Sequence, residues 1–185
     1  DSQTVDIRME AAASKLWCTE ELWKVVDTAI QLRGGRGYET KASLEKRGEV
    51  GVPLERIMRD IRVNRILEGS SEIMHLFLAR EALDTHFKKA GVLLSKASLK
   101  EKWHALLACV RFYPAWYIKL CAGLLFGSMT SYANYDPSFR RSLKWISKTG
   151  KKLALTLFHK MLFLGPKLEF KQLTLARIID IGIEL

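Results

Sequence analysis

Apolar residues in this chain recur at intervals of three and four, and no stretch alternates apolar with polar at the period a half-buried strand requires. That pattern restricts the fold to the all-α class, as an antiparallel bundle of amphipathic helices. Val5, Met9, Ala12, Leu16, Trp23, Val26 and Ile30 mark one face of a first long helix, strengthened by Ala11-Ala12-Ala13 and stopped by Gly34-Gly35. Residues 39–52 are charged and glycine-containing, and read as a loop. Pro53 suits the first turn of a second helix running to about Leu67. Gly69-Ser70-Ser71 breaks that helix. Ser70 or Ser71 can cap a third, whose positive end suits Glu72 and whose stripe is Ile73, Leu76, Phe77, Leu83 and Phe87. Beyond Gly91 three more helices are predicted, over 99–126 with Pro114 as a kink, 138–163 and 167–182.

An apolar content of 48% is enough to bury a core. The net charge of +10 is unevenly distributed: residues 1–90 hold 15 Lys/Arg and 15 Asp/Glu, residues 91–185 hold 15 and 5. The split suggests two domains, a neutral bundle over 1–90 and a basic, amphipathic extension over 91–185, with an anionic partner for the second alone. Cys18, Cys109 and Cys121 are far apart and show no CxxC spacing, and the four histidines form no ligand pair. A disulfide framework and a metal site are therefore not expected, and a reducing compartment fits. Asp1-Ser2-Gln3 leads straight into a helical pattern and is no signal peptide. It reads like a cut inside a longer protein. The other end, Ile183-Glu184-Leu185, also stops inside an apolar pattern.

Individually the chemistry-bearing motifs are ambiguous. Gly34-Gly35-Arg36-Gly37 allows close approach of backbone to a phosphate-bearing ligand, or simply stops a helix. It is no Rossmann fingerprint, since no strand precedes it. Glu68 at a helix end is a solvated carboxylate unless burial makes it a base. Arg56, Arg59, Arg62 and Arg65 recur every three residues, but Glu55 and Asp60 interleave them in a neutral half, which describes a salt-bridged helix face. No nucleic-acid fold or base-stacking motif accompanies the charge.

Together they carry more. Gln31-Leu32-Arg33-Gly34-Gly35-Arg36-Gly37-Tyr38, then Glu55-Arg56-Ile57-Met58-Arg59-Asp60, then Ile66-Leu67-Glu68-Gly69-Ser70-Ser71-Glu72-Ile73 and Phe77-Leu78-Ala79-Arg80-Glu81 stand in this order. Over about residues 5–87 the chain resembles the C-terminal portion of the acyl-CoA dehydrogenases, closest to bacterial and very-long-chain-like members. The resemblance implies α,β-dehydrogenation of a fatty acyl-CoA thioester, with Glu68 as the base that removes the α-proton while hydride passes to FAD. It assigns Gln31, Leu32, Arg33, Gly34 and Gly35 to the adenosine-diphosphate part of a neighbouring subunit's FAD. It assigns Ser70, Ser71 and Glu72 to the flavin, and Leu67 and Gly69 to the border of the thioester. Many members have Thr where Ser70 stands, which keeps the hydroxyl. A homo-oligomer, electron transfer to an electron-transfer flavoprotein, and residence in a bacterial cytoplasm or the mitochondrial matrix are implied as well. The family's N-terminal helical and middle β domains are absent from these residues, so the chain alone is expected to be inactive.

The second half carries no named motif. Trp103, Leu106, Leu107, Val110, Trp116, Tyr117, Ile118, Leu120, Leu124, Leu125 and Phe126 form an apolar stretch that Arg111, Pro114 and Lys119 make a poor membrane span. Arg140, Lys144, Lys148, Lys151 and Lys152 lie near one helix face, with Leu143, Ile146, Leu153 and Leu157 available for another. That pattern fits an anionic membrane surface or a second bundle with a solvated basic face. The competing reading of the whole chain is a non-catalytic helical module for membrane binding or oligomerisation.

Overall fold

A computed structural model describes residues 6–127, 132 and 134–185. Val5, expected on the first helical face, lies outside them. The order is α1 (Arg8–Arg33), α2 (Gly35–Tyr38), α3 (Lys41–Lys46), α4 (Leu54–Arg62), a 3-10 turn (Val63–Arg65), α5 (Ser71–Leu94), α6 (Leu99–Leu125), α7 (Pro137–Leu164), a second 3-10 stretch (Gly165–Phe170) and α8 (Gln172–Ile183). No strand occurs among the described residues, as the periodicity predicts. The chain divides into two compact units, Asp1–Leu78 and Ala79–Leu185. The step in charge near Ala90-Gly91 falls inside α5 and breaks no helix.

In the first unit α1 packs along α4 and α2. Ala12, Leu16 and Val26 are buried, whereas Met9 is 46% exposed, so the predicted face is right at its centre and not at its start. The helix ends at Gly34, whose N–H donates to Gln31 O at 3.1 Å. Three residues on, Gly37 is buried because α2 folds back on α1. A Cβ there would stand 2.7 Å from Ile30 O and 2.9 Å from Ile30 Cα, so only glycine fits.

Three expectations need correction. Residues 39–52 contain a helix, α3, rather than a plain loop: Thr40 Oγ1 accepts from Ser43 N–H at 3.3 Å, and Leu44 beneath is completely buried. The second helix leaves α geometry after Arg62 instead of reaching Leu67, passing through one 3-10 turn. On α5 the buried positions are Ser71, Leu78, Ala79, Leu83 and His86, while Ile73 and Phe87 face outward. Hydropathy alone chose a stripe rotated from the one packing uses.

In the second unit α6 lies against α7, and α7 against α8. Helix α6 starts in a capping box between Ser98 and Glu101 and passes through Pro114. His86, Tyr113, Trp116 and Phe158 form an aromatic cluster, with His86 stacked on Tyr113 at 5.7 Å and edge-on to Trp116 at 5.0 Å. Burial holds the His86 imidazole below the usual histidine range. Helix α6 is long and apolar enough to cross a membrane, and little of its most apolar stretch is buried. Arg111 and Lys119 interrupt it. Leu99, Trp103, Leu106, Leu107, Val110, Ile118 and Leu125 share its exposed side.

Candidate active-site loop

The loop from Ile66 to Ser70 joins the 3-10 turn to α5, and its central residue is backbone-strained. Glu68 has φ 53, the one non-glycine positive φ among the described residues, and Gly69 follows at φ 95. A left-handed glutamate costs about 1–3 kcal/mol and persists only where surroundings enforce it. Three groups on α1 supply that enforcement. Lys15 Nζ donates to Gly69 O at 2.6 Å and, more weakly, to Leu67 O at 3.4 Å. Glu20 accepts from Arg65 Nε at 2.8 Å and pairs with Arg65 Nη2 at 2.7 Å. The Ser71 hydroxyl donates to the same Glu20 carboxylate. Trp23 lies beneath both Arg62 and Arg65, each 5.6 Å from its ring centroid. Contacts thus run antiparallel along α1, with Trp23 opposite 62–65, Glu20 opposite Arg65 and Lys15 opposite 67–69.

The residues singled out in the sequence fall into two places. Leu67, Glu68, Gly69, Ser70, Ser71 and Glu72 come together at the loop and first turn of α5. Leu67 and Glu68 are exposed. Ser70 caps α5, its Oγ accepting from Ile73 N–H at 3.4 Å. The Glu72 carboxyl is held below the usual range by its own backbone N–H and then by the Ser70 hydroxyl. Ser71 is 7% exposed with its hydroxyl committed to Glu20, so a side-chain contact from Ser71 to a ligand requires that bond to break.

Gln31, Leu32, Arg33, Gly34 and Gly35 form the second place, at the far end of α1. Leu32 is 84% exposed. A Cβ built on Gly34 or Gly35 would meet nothing within 4 Å, so their backbone is bare and open to a ligand from outside. Sixteen residues of helix separate Lys15 from Gln31, a rise of about 24 Å. The two places therefore do not converge on one pocket within this unit.

The arginine series is a salt-bridged helix face only at its start: Arg59 pairs with Glu55 at 3.1 Å and Arg56 with Asp60 at 3.7 Å along α4, whereas Arg62 and Arg65 turn onto Trp23 of α1 and Arg65 pairs with Glu20. No group of His, Cys, Asp and Glu among the described residues could hold a metal. The three cysteines are free. Lys15, Glu20 and Trp23 are the functional candidates that sequence reasoning missed. Their partners are 39 to 54 residues away, and nothing local announces the pairing.

Residues 1–83 match the family described as Acyl-CoA dehydrogenase, C-terminal domain. Over 182 residues, 97% of its length, the chain is 46% identical to "Probable acyl-CoA dehydrogenase FadE10" of Mycobacterium tuberculosis, of which it covers 28%. It is 38% identical over 106 residues to "Very long-chain specific acyl-CoA dehydrogenase, mitochondrial" of Mus musculus, covering 50% of this chain and 15% of that protein. The human protein of the same name is 37% identical over 111 residues, 52% of this chain and 15% of that protein. The chain thus spans little more than a quarter of the FadE10 relatives, and their similarity runs through both halves. No solved structure matches it significantly.

Proposed function

We propose, from the match of residues 1–83 to the family described as Acyl-CoA dehydrogenase, C-terminal domain, that the chain supplies the catalytic base and part of the flavin site of a fatty acyl-CoA dehydrogenase. The single observation that carries the reading is the enforced left-handed backbone of Glu68, since strain of this kind is retained where a side chain must be aimed. In the proposed reaction the α C–H bond of the acyl thioester breaks and its proton passes to the Glu68 carboxylate. The freed electron pair forms the α,β double bond as the β-hydrogen leaves with its own pair. Bound FAD would accept that hydride at N5. Leu67 and Gly69 border the thioester. Ser70 and Glu72, with the Ser71 backbone, face the flavin ring, while Gln31 to Gly35 present bare backbone to the adenosine-diphosphate part of a neighbouring subunit's FAD. The roughly 24 Å between the two places along α1 favours two different flavins, hence a homo-oligomer.

Glu68 is exposed here. The low-dielectric surround that tunes such a base must come from groups outside these residues. The 185-residue chain alone is accordingly inactive. Electrons would leave through an electron-transfer flavoprotein, in a bacterial cytoplasm or mitochondrial matrix.

The test is Glu68→Gln in the full-length flavoprotein. It keeps the shape, removes the base and lowers turnover at least ~100-fold with flavin retained. Near-wild-type turnover places the base elsewhere. The 185-residue chain, purified without the rest, holds no stoichiometric flavin; a yellow preparation that reduces dye with acyl-CoA overturns that part.

A second reading, membrane association through 91–185, rests on one observation. The exposed apolar side of α6 and the basic side of α7 belong to the same unit, and Lys144, Lys148 and Lys152 are exposed.

A further inference from the structure

We propose that Lys15 is a positioning residue for Glu68, its ammonium gripping the carbonyls on either side of that residue and so holding the carboxylate on the line of attack. The inference rests on the base reading above. Lys15 Nζ lies 2.6 Å from Gly69 O and 3.4 Å from Leu67 O, bracketing the residue whose φ is 53. An ammonium is a compact charge with three donors on a flexible stem, suited to two carbonyls that face one point. Charge-assisted bonds of this kind are stronger than neutral ones. Their effect here is conformational: while both carbonyls point at α1, residue 68 cannot return to ordinary backbone angles.

The anchors on either side do not do this alone. Arg65 and Ser71 are tied to Glu20, which fixes where the loop begins and where α5 begins. Ile66 and Leu67 also donate to Val63 O at 3.0 and 2.9 Å, and Ser70 O accepts from Met74 N–H at 2.9 Å, so the stretch that depends on the Lys15 contact is Glu68 and Gly69. Lys15 therefore acts through Glu68 and not on the substrate. Misplacing a reacting group by about 1 Å can cost 10²-fold.

The experiment is a double-mutant cycle in the full-length flavoprotein, read as kcat, KM and flavin content. Lys15→Met lowers kcat by about 10-fold or more with KM and flavin content unchanged, because the loss is one of aim. Lys15→Arg, which keeps charge and donors, recovers part of it. In the Glu68→Gln background Lys15→Met costs less than about 2-fold further, because the group it aims is gone. Should Lys15→Met lose its flavin, Lys15→Gln, which keeps a donor for one carbonyl, is read by the same criteria. A kcat within about 2-fold of wild type in Lys15→Met, or a further loss in the Glu68→Gln background as large as in wild type, overturns the assignment while leaving Glu68 as base. A Glu68→Gln enzyme that turns over normally overturns both.

Discussion

Glu20 is the residue on which the Glu68 loop turns. One carboxylate serves Arg65 through two nitrogens and Ser71 through its hydroxyl, joining the end of one element to the start of the next. Both members of the ion pair are about a quarter exposed, 24% for Arg65 and 27% for Glu20, so screening reduces the pair without abolishing it. Glu20→Gln leaves Arg65 half-buried with a neutral partner and removes the bidentate geometry. We expect a loss of about 1–2 kcal/mol, measured as a lower urea midpoint of the 185-residue chain at unchanged slope. A change under ~0.5 kcal/mol shows the pair to be ornamental. The Glu68 strain and the Lys15 grip belong to the same scale. Neither was legible in sequence, because a left-handed glutamate looks like any other and Lys15 meets its carbonyls across 54 residues.

Among the elements, capping chemistry was read correctly and registers less so. Gly34 stops α1 and Ser70 starts α5 through bonds made within three residues, so the local sequence suffices. Helix α3 is too short, at six residues, to show a period, and only Thr40 and the buried Leu44 reveal it. The α5 stripe was misplaced because Phe87 is apolar but outward, while His86 is polar but inward. That inward histidine has a measurable consequence. Burial lowers its folded pKa below the unfolded value of about 6.5. Below that value the unfolded chain takes up a proton the folded chain refuses, so stability is full above about pH 6.5 and declines as pH falls through it. Thermal melting of the chain should drop between pH 7.5 and 5.5, and His86→Leu should flatten that particular dependence. An unchanged pH profile in His86→Leu removes His86 as its source.

For the whole molecule, the net positive charge lies in the second unit, which also exposes a long apolar side of α6. Helix α6 exposes Leu99 at 87% and Trp103 at 61%, and α7 exposes Trp145 at 60% beside its basic side. If that unit settles on an anionic surface, each Lys or Arg near it adds about 1 kcal/mol, fading within a Debye length. Co-sedimentation of the chain should therefore be seen with anionic vesicles at low salt, weaken at high salt, and be absent with neutral lipid. Trp145 and Trp103 fluorescence should shift to the blue on binding. No binding to anionic vesicles at low salt ends the membrane reading and leaves the basic side solvated or covered by protein.

What the sequence determined by itself were the properties that repeat or close locally: the all-α class, the Gly34 stop of α1 and the Ser70 start of α5, the ion pairs along α4, and a motif order that points to one family. Periods of three and four, glycine stops and serine caps act over a single turn, so they survive without knowledge of the fold. Tertiary structure alone decided which of two apolar faces of α5 is buried. It also separated the Gln31–Gly35 stretch from the Glu68 loop by most of the length of α1. Above all, it set Lys15, Glu20 and Trp23 of α1 against that loop. These are meetings between segments dozens of residues apart. Their partners are chosen by how helices pack, and packing is a property of surfaces in contact rather than of any one stretch of chain.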